Sequence, residues 1–575
     1  MRSTAETREM PPLDMQRRTQ NTPVVGPASK LPTIFIQAEM YGDAPRDENP
    51  LMLRTLPITF LAIALGHGPI TAQSTPRPNI LLAISDDQSY PHASAYGDPT
   101  VKTPAFDRVA KEGVLFTNAF CASPGCSPSR AALLTGRHTW QLEHAGTHAS
   151  SFDSKFATFP NLLENSGYFV GYTGKGWGPG NFKDGGHKRN PAGTAFSVRA
   201  KDKPPSGISR TDYAAGFDAF LAERPDGKPF CFWFGGHEPH RSFAKGAGEA
   251  AGKSLASVTV PAFLPDRPQI RSDILDYYIE IEWFDSHLQA ILQSLEQAGE
   301  LDNTLIIVTS DNGMAFPRAK ANCYESGIHV PLAIRFGHVA KADRVLEDLV
   351  GFVDLTATIL EAAGVDHPGA PYPPSGRSLM DLLRSKDQGL VDPTRDAVFS
   401  ARERHSSSRW NNLAYPQRAI RTAQFLYIRN FKPERWPAGT PQKFGTSNYS
   451  SGKDAKSLGP MHGGYHDIDS CPSLTFLKNG IDDPEIARYL HLAVDRRPAE
   501  ELFDIIEDPG CLDNLAGTSR FAKAQAELAK RLDDTLRKTQ DPRVVDDDGG
   551  EIFETYRRYS RIRKFPKPDW AKRRP

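Results

Sequence analysis

Several residue types in this chain could do chemistry together. Asp86-Asp87 and Asp311-Asn312 each follow a continuous apolar run, Asn79–Ile84 and Thr304–Thr309. Taken singly, an Asp-Asp or an Asp-Asn-Gly reads as a turn. Placed together at strand ends, they are hard oxygen ligands that can converge on one cation from distant parts of the chain. Three carboxylates in an all-oxygen set point to calcium, with magnesium second because it demands stricter octahedral geometry. Cys126 heads the run Cys126-Ser127-Pro128-Ser129-Arg130, which continues through Leu133-Leu134-Thr135-Gly136-Arg137. Alone it also reads as an ordinary buried thiol. His237 and His240 follow the apolar run Phe230–Phe234. Histidine is by type a side chain suited to proton transfer. The two histidines also read as a transition-metal site, but no Cys or third His stands at ligand spacing. Lys175 and Lys320 complete the set of cationic candidates, although a lone lysine is by default a solvated one.

These residues need a frame that brings them to one edge. The three apolar runs have the length and continuous apolarity of strands covered on both faces. Between the second and third, Ile274, Tyr278, Ile281, Phe284, Leu288, Leu292 and Leu295 recur at steps of three and four, a long amphipathic helix that stops at Gly299. Strand, helix and strand in this order predict an α/β fold with a largely parallel sheet sandwiched by helices, whose ligands gather beyond the carboxyl ends of the strands. A further helix runs to Ala363, Pro and Gly thicken at 368–376, and a smaller domain begins near 395. Leu528, Leu532 and Leu536 mark a late helix able to pack on a small antiparallel sheet. No internal repeat is apparent.

The chain has 575 residues, with Lys plus Arg and Asp plus Glu equal at 69 each, so bulk charge recruits no nucleic acid or other polyanion. Residues 52–75 read as a secretory signal peptide, a short positive start followed by Leu56–Leu65, a run too short to span a bilayer. That predicts an exported, periplasmic or secreted protein with no transmembrane segment in the mature chain. Residues 1–51 read as a mis-extended N-terminus ahead of a true start at Met52. The expected division is a catalytic domain at 76–394, a smaller C-terminal domain at 395–545 and a basic, frayed tail at 546–575. The six cysteines lie at 121, 126, 231, 323, 471 and 511, without metal-ligand spacing or the density of a disulfide scaffold.

The full run from Cys126 to Arg137 resembles the signature of the type I sulfatases, and the resemblance extends over about Pro76 to Ala516. It implies an alkaline-phosphatase-like sheet with a smaller C-terminal α+β domain. It also implies that a maturation enzyme oxidises Cys126 to formylglycine, whose hydrated aldehyde offers an oxygen nucleophile to sulfur. Asp86, Asp87, Asp311 and Asn312 match the family's metal ligands, with the residue 126 oxygen joining them. Arg130, Lys175 and Lys320 match the cations that neutralise sulfate, and His240 the histidine that contacts it. One position departs from the pattern: the family reads Gly-Lys-x-His, whereas Gly174-Lys175-Gly176-Trp177 puts Trp177 where a histidine helps expel sulfate. His138 and His148 are the nameable substitutes, and the Trp177 ring is a candidate to stack on a sugar.

The His-x-Pro-His-Arg segment at 237–241 and Tyr415–Thr422 look most like the sulfamidases, which remove N-linked sulfate from glucosamine. On that resemblance the substrate is a sulfated saccharide of the glycosaminoglycan type, with His237, Arg404 and His405 as candidates to read the sugar. An O-sulfatase on another glycan or an aryl sulfate stays open. So do two readings of another class: a phosphohydrolase of the same superfamily, with a Ser or Thr nucleophile and two metals, and a non-catalytic glycan-binding protein that keeps Cys126 as a thiol.

Overall fold

The computed structural model describes residues 77–442, 459–563, 565, 567 and 568. The extension at 1–51 and the leader read at 52–75 lie outside the described residues. Among the described residues no helix is long and apolar enough to cross a membrane.

The central sheet is built from β1 (Asn79–Ser85), β2 (Val114–Phe120), β3 (Phe169–Gly174), β4 (Phe230–Gly235), β5 (Thr304–Ser310) and β6 (His329–Phe336). Their order across the sheet is β2-β6-β5-β1-β4-β3, extended at the edges by short strands at Arg344–Leu346 and Thr194–Ala195. β5, β1, β4 and β3 run parallel, while β6 runs against both β5 and β2. The sheet is therefore mixed, and its parallel part is the part that carries the candidate residues.

Continuous apolarity has its expected cause, since every residue of β1 and β5 is buried. Ile80, Leu82 and Ile84 face one layer, with Leu133 and Leu134 of α2 (Cys126–Thr135) and Leu355 and Ile359 of α5 (Phe352–Ala363). Leu81 and Ala83 face the other, against α1 (Pro104–Lys111), α3 (Tyr213–Glu223) and the C-terminal half of α4 (Pro268–Gln297). Helices on both faces leave no side of the parallel strands for water, which is why these runs do not alternate with polar residues. α4 starts with proline at its first position and is followed by Gly299 at φ 69°, the left-handed conformation that ends helices. Its N-terminal half, with Ile274, Tyr278 and Ile281, packs elsewhere, on Phe263, Met314 and Phe316.

A second sheet is antiparallel: β7 (Val398–Arg402), β8 (Gln417–Arg421), β9 (Phe425–Asn430) and β10 (Glu500–Asp504). Leu528, Leu532 and Leu536 of α6 (Ala522–Lys538) cover it, in one cluster with Ile420, Tyr427, Leu502 and Trp140. The late leucine stripe thus packs as its spacing predicts. The basic tail differs from expectation. Its described part is docked, with the Tyr559 amide donating to the Ala149 carbonyl and the Arg563 amide to Ser407 Oγ, so that its main chain is tied down rather than frayed.

Leu532 is 1% exposed, so Leu532→Ala should destabilise the chain by about 2–5 kcal/mol. The readout is the urea midpoint followed by circular dichroism; an unchanged midpoint would show that α6 does not hold the second sheet.

Candidate active site

Register explains why the acidic pairs meet. Ser85 pairs with Ser310, so Asp86-Asp87 and Asp311-Asn312 leave the sheet level with one another. Ile84 pairs with Gly235, and Gly235 with Gly174, which brings Lys175 and the His237–His240 segment to the same edge. Main-chain bonds fix the exits: Asp311 N donates to Ser85 O at 3.1 Å, Asp86 N to Glu238 O at 3.0 Å and Lys175 N to Gly235 O at 2.8 Å. Gly174 has φ 69°, and a Cβ there would come within 2.0 Å of the Gly235 carbonyl, so only glycine lets β3 turn Lys175 into the site.

Cys126 is the first residue of α2, a helix buried along its whole length. Arg130 lies one turn further on, and its guanidinium has no exposure. Arg130 Nε donates to Asp311 Oδ2 at 2.7 Å and Nη1 to the Lys175 carbonyl at 2.8 Å. Lys175 Nζ donates to Asp86 Oδ2 at 2.5 Å. Asp87 accepts from Asn312 Nδ2 at 2.8 Å and from Lys320 Nζ at 2.6 Å. Lys320 also reaches Asp469 Oδ2 at 3.0 Å, and His240 Nε2 lies 3.8 Å from Asp87 Oδ2.

One donor atom each from Asp86, Cys126 and Asp311 falls within 4.8 Å of the other two. Asp86 Oδ1 and Asn312 Oδ1 are buried without a hydrogen-bond donor. Buried oxygens left unpaired cost roughly 1–3 kcal/mol each, and a hard divalent cation would satisfy both, so the residues present fit such an ion. Asp87, His240 and Asp469 form a second close group. There the Lys320 ammonium already bridges the two carboxylates, supplying the positive charge that a second cation would bring.

Charge and burial act unequally on these groups. Burial pushes Asp311 up to about 6, against the pull of Arg130. Asp86 stays well below the carboxylate range because Lys175, His240 and Arg130 outweigh its burial. Burial lifts the Cys126 thiol to about 11. An unmodified Cys126 is therefore a neutral thiol near pH 7, a poor nucleophile.

His148 Nε2 stands 3.4 Å from Cys126 Sγ, and burial, then His405 and Arg558, hold its ring well below its ordinary pKa, so it is a neutral imidazole. Of the two histidines nameable as substitutes, only this one reaches the cysteine. His138 stacks on Trp140 beyond the far end of α2, with ring centroids 4.4 Å apart.

Other assignments need correction. Trp177 is 3% exposed, its indole N–H donates to the Ser127 carbonyl at 3.0 Å and its ring packs on Phe152, so it braces α2 instead of offering a face to a sugar. Arg404 is buried, donates to the His148 carbonyl and lies over Tyr556, so it supports the His148 segment. His405 is buried too, its ring 4.7 Å from that of His148. His237 is exposed, with its amide on the Tyr213 hydroxyl at 3.0 Å, and remains available to a ligand.

Two members of the site escaped sequence reasoning. Asp469 partners Lys320 from a remote segment whose local sequence, Ile468-Asp469-Ser470-Cys471, carries no motif. Glu238 anchors the histidine segment by accepting from Tyr213 Oη at 2.7 Å and Ser209 N at 2.8 Å. Its place between His237 and Pro239 was the available signal.

Trp177→Phe removes the bond to Ser127 and should cost about 1 kcal/mol of stability with KM for substrate unchanged. A raised KM at unchanged stability would restore the ring to a sugar-binding role.

Comparison with known proteins fits this geometry. Residues 78–365, half of the chain, match the family described as Sulfatase. Human N-sulphoglucosamine sulphohydrolase is 29% identical over 505 residues, covering 82% of this chain and 92% of the human one. An ulvan-active sulfatase of Formosa agariphila is 26% identical over 482 residues, covering 80% of this chain and 74% of its own. Among solved structures, BT4656 in complex with its substrate D-glucosamine-2-N,6-O-disulfate aligns with a TM-score of 0.57 at 21% identity, covering 83% of this chain and 99% of that one.

Proposed function

The chain belongs to the sulfatase family, and from that premise we propose that it hydrolyses a sulfamate or sulfate ester on a glycosaminoglycan-type sugar, N-sulfoglucosamine first, with formylglycine at position 126. The observation that carries this reading is the meeting of Cys126, Asp86 and Asp311 at the head of a buried helix. The substrate choice is supported by the human relative, a sulphohydrolase of N-sulphoglucosamine, and by the His-x-Pro-His-Arg segment at 237–241.

In this reading a maturation enzyme converts Cys126, the leader at 52–75 directs export, and residues 76–394 form the catalytic domain beside a smaller one at 395–545. Asp86, Asp87, Asp311 and Asn312 would hold the cation, calcium before magnesium because magnesium demands stricter octahedral geometry. Bound there, such an ion would supply Lewis-acid charge that favours an ionised oxygen at residue 126 and polarises sulfate. Arg130 orients α2 and fixes Asp311. The Lys175 and Lys320 ammoniums, held by Asp86 and Asp87, neutralise the nonbridging sulfate oxygens as negative charge shifts during transfer. His240 or Lys320 protonates the departing nitrogen or oxygen. His148 Nε2 takes a proton from residue 126, the task that a histidine at position 177 would otherwise perform. His237 at the open edge contacts the sugar.

Chain coexpressed with a maturation enzyme should carry an aldehyde on the peptide containing residue 126, detected by mass spectrometry and hydrazide labelling. Chelation should abolish its sulfate release, with calcium restoring more than magnesium. A thiol that persists under those conditions would support the glycan-binding reading instead.

The Formosa relative, an ulvan-active sulfatase, favours a second reading, an O-sulfatase on another glycan. A panel of glucosamine derivatives sulfated at N, O2, O3 or O6, together with an aryl sulfate, separates the two through sulfate release. N-sulfoglucosamine should give the highest kcat/KM; turnover confined to an O-sulfated sugar refutes the sulfamidase assignment.

A further inference from the structure

Behind the Lys320 loop, between it and the second sheet, lies a group of buried arginines that the proposed reaction does not use. Arg402, Arg409 and Arg497 are each more than nine-tenths buried. Arg409 is fully engaged, through Nε on the Trp436 carbonyl, Nη1 on Ser408 Oγ and Nη2 on Asp467 Oδ2. Arg402 engages only Nη2, on Asp467 Oδ2 at 2.7 Å and on the Pro437 carbonyl at 2.9 Å. Its Nε and Nη1 have no partner, and neither do Nε, Nη1 and Nη2 of Arg497.

The surroundings leave these five nitrogens without an acceptor. Glu501, the carboxylate acting on Arg497, accepts from Tyr324 Oη at 2.6 Å and from Asn430 Nδ2 at 2.7 Å. Gln417 Oε1, joined to the same network through Asn430, is one unpaired acceptor against five donors. The buried Tyr415 hydroxyl is also unpartnered. Arg402 and Arg409 lie 5.3 and 5.5 Å from the Tyr415 ring centroid, and Arg497 lies 4.6 Å from that of Tyr324. Within this cluster three guanidiniums share two carboxylates, Asp467 with Arg402 and Arg409, and Glu501 beside Arg497. Crowding is felt at Arg402, which burial and then the neighbouring Arg409 and Arg497 lower to about 10 against the pull of Asp467.

An isolated buried cation is strongly disfavoured unless paired. Water would satisfy the donors but not the charge. We propose that Arg402, Arg497 and Tyr415 form a buried site for one small monovalent inorganic anion of the halide class, chloride being the abundant member. A halide accepts from several directions at once, which suits unpartnered donors carried by two arginines and a hydroxyl. Because Arg497 lies against Tyr324, four residues beyond Lys320, the anion also braces the loop that carries that lysine. The site is independent of the sulfatase reading, since it contains no residue assigned to the reaction.

The test uses the full chain. Crystals grown in sodium bromide should show an anomalous peak within hydrogen-bond distance of Arg402 and Arg497. In solution, chloride replacing gluconate at constant ionic strength should raise the thermal midpoint by a few degrees, saturably. Arg497→Met should abolish that halide-dependent rise. Should this variant fail to fold, Tyr415→Phe serves in its place, and should shift the rise to higher chloride. No bromide peak, a midpoint indifferent to halide, a rise unchanged in both variants, or stabilisation by sulfate with chloride inert each overturns the proposal.

Discussion

The Arg130 guanidinium, without solvent exposure, joins three separate pieces of chain: the helix headed by Cys126, the Asp311 turn after β5, and the Lys175 turn after β3. An arginine suits this position because its planar fork directs donors to a carboxylate and to main-chain carbonyls at once, with a charge that burial does not remove. Its charge is also what makes a buried Asp311 tolerable. Losing one partner of such a pair leaves an uncompensated charge in the interior, at a cost of about 3–5 kcal/mol. Arg130 thus ties the helix that Cys126 heads directly to the Asp311 turn.

Around it, charges are interleaved. Asp86 meets Lys175, Asp87 meets Lys320, and Lys320 meets Asp469. Each ammonium is held in place before any ligand arrives, so little reorganisation remains when an anionic group enters. Unpaired Asp86 Oδ1 and Asn312 Oδ1 stand among these filled contacts. They mark where a cation would fit among these groups.

Strand ends were legible in the sequence because apolarity stops abruptly where the sheet stops, at Ser85, Gly235 and Ser310. That alone located both acidic pairs and the histidine segment. Contacts made by long loops were not legible. Asp469 reaches Lys320 across the fold from a stretch with ordinary composition, and His148 reaches Cys126 because the segment after α2 turns back over it. Trp177, Arg404 and His405 were misread for a single reason: local sequence gives residue type but not which side of a loop is covered. Packing of Phe152, Tyr556 and the docked tail decides that, and each arrives from elsewhere in the chain.

All ten residues of the helix that begins at Cys126 are buried, and the thiol itself is 1% exposed. Burial of this extent imposes an order of events. Any agent larger than a small solute that alters the Cys126 side chain must meet it while the segment is still extended and accessible, before α2 docks on the sheet and the His148 segment closes over it. Rapid folding, ordinarily an advantage, shortens that interval. The rate at which this helix packs therefore limits what fraction of molecules such an agent can alter, and a molecule that folds first keeps its original thiol against it for as long as it stays folded.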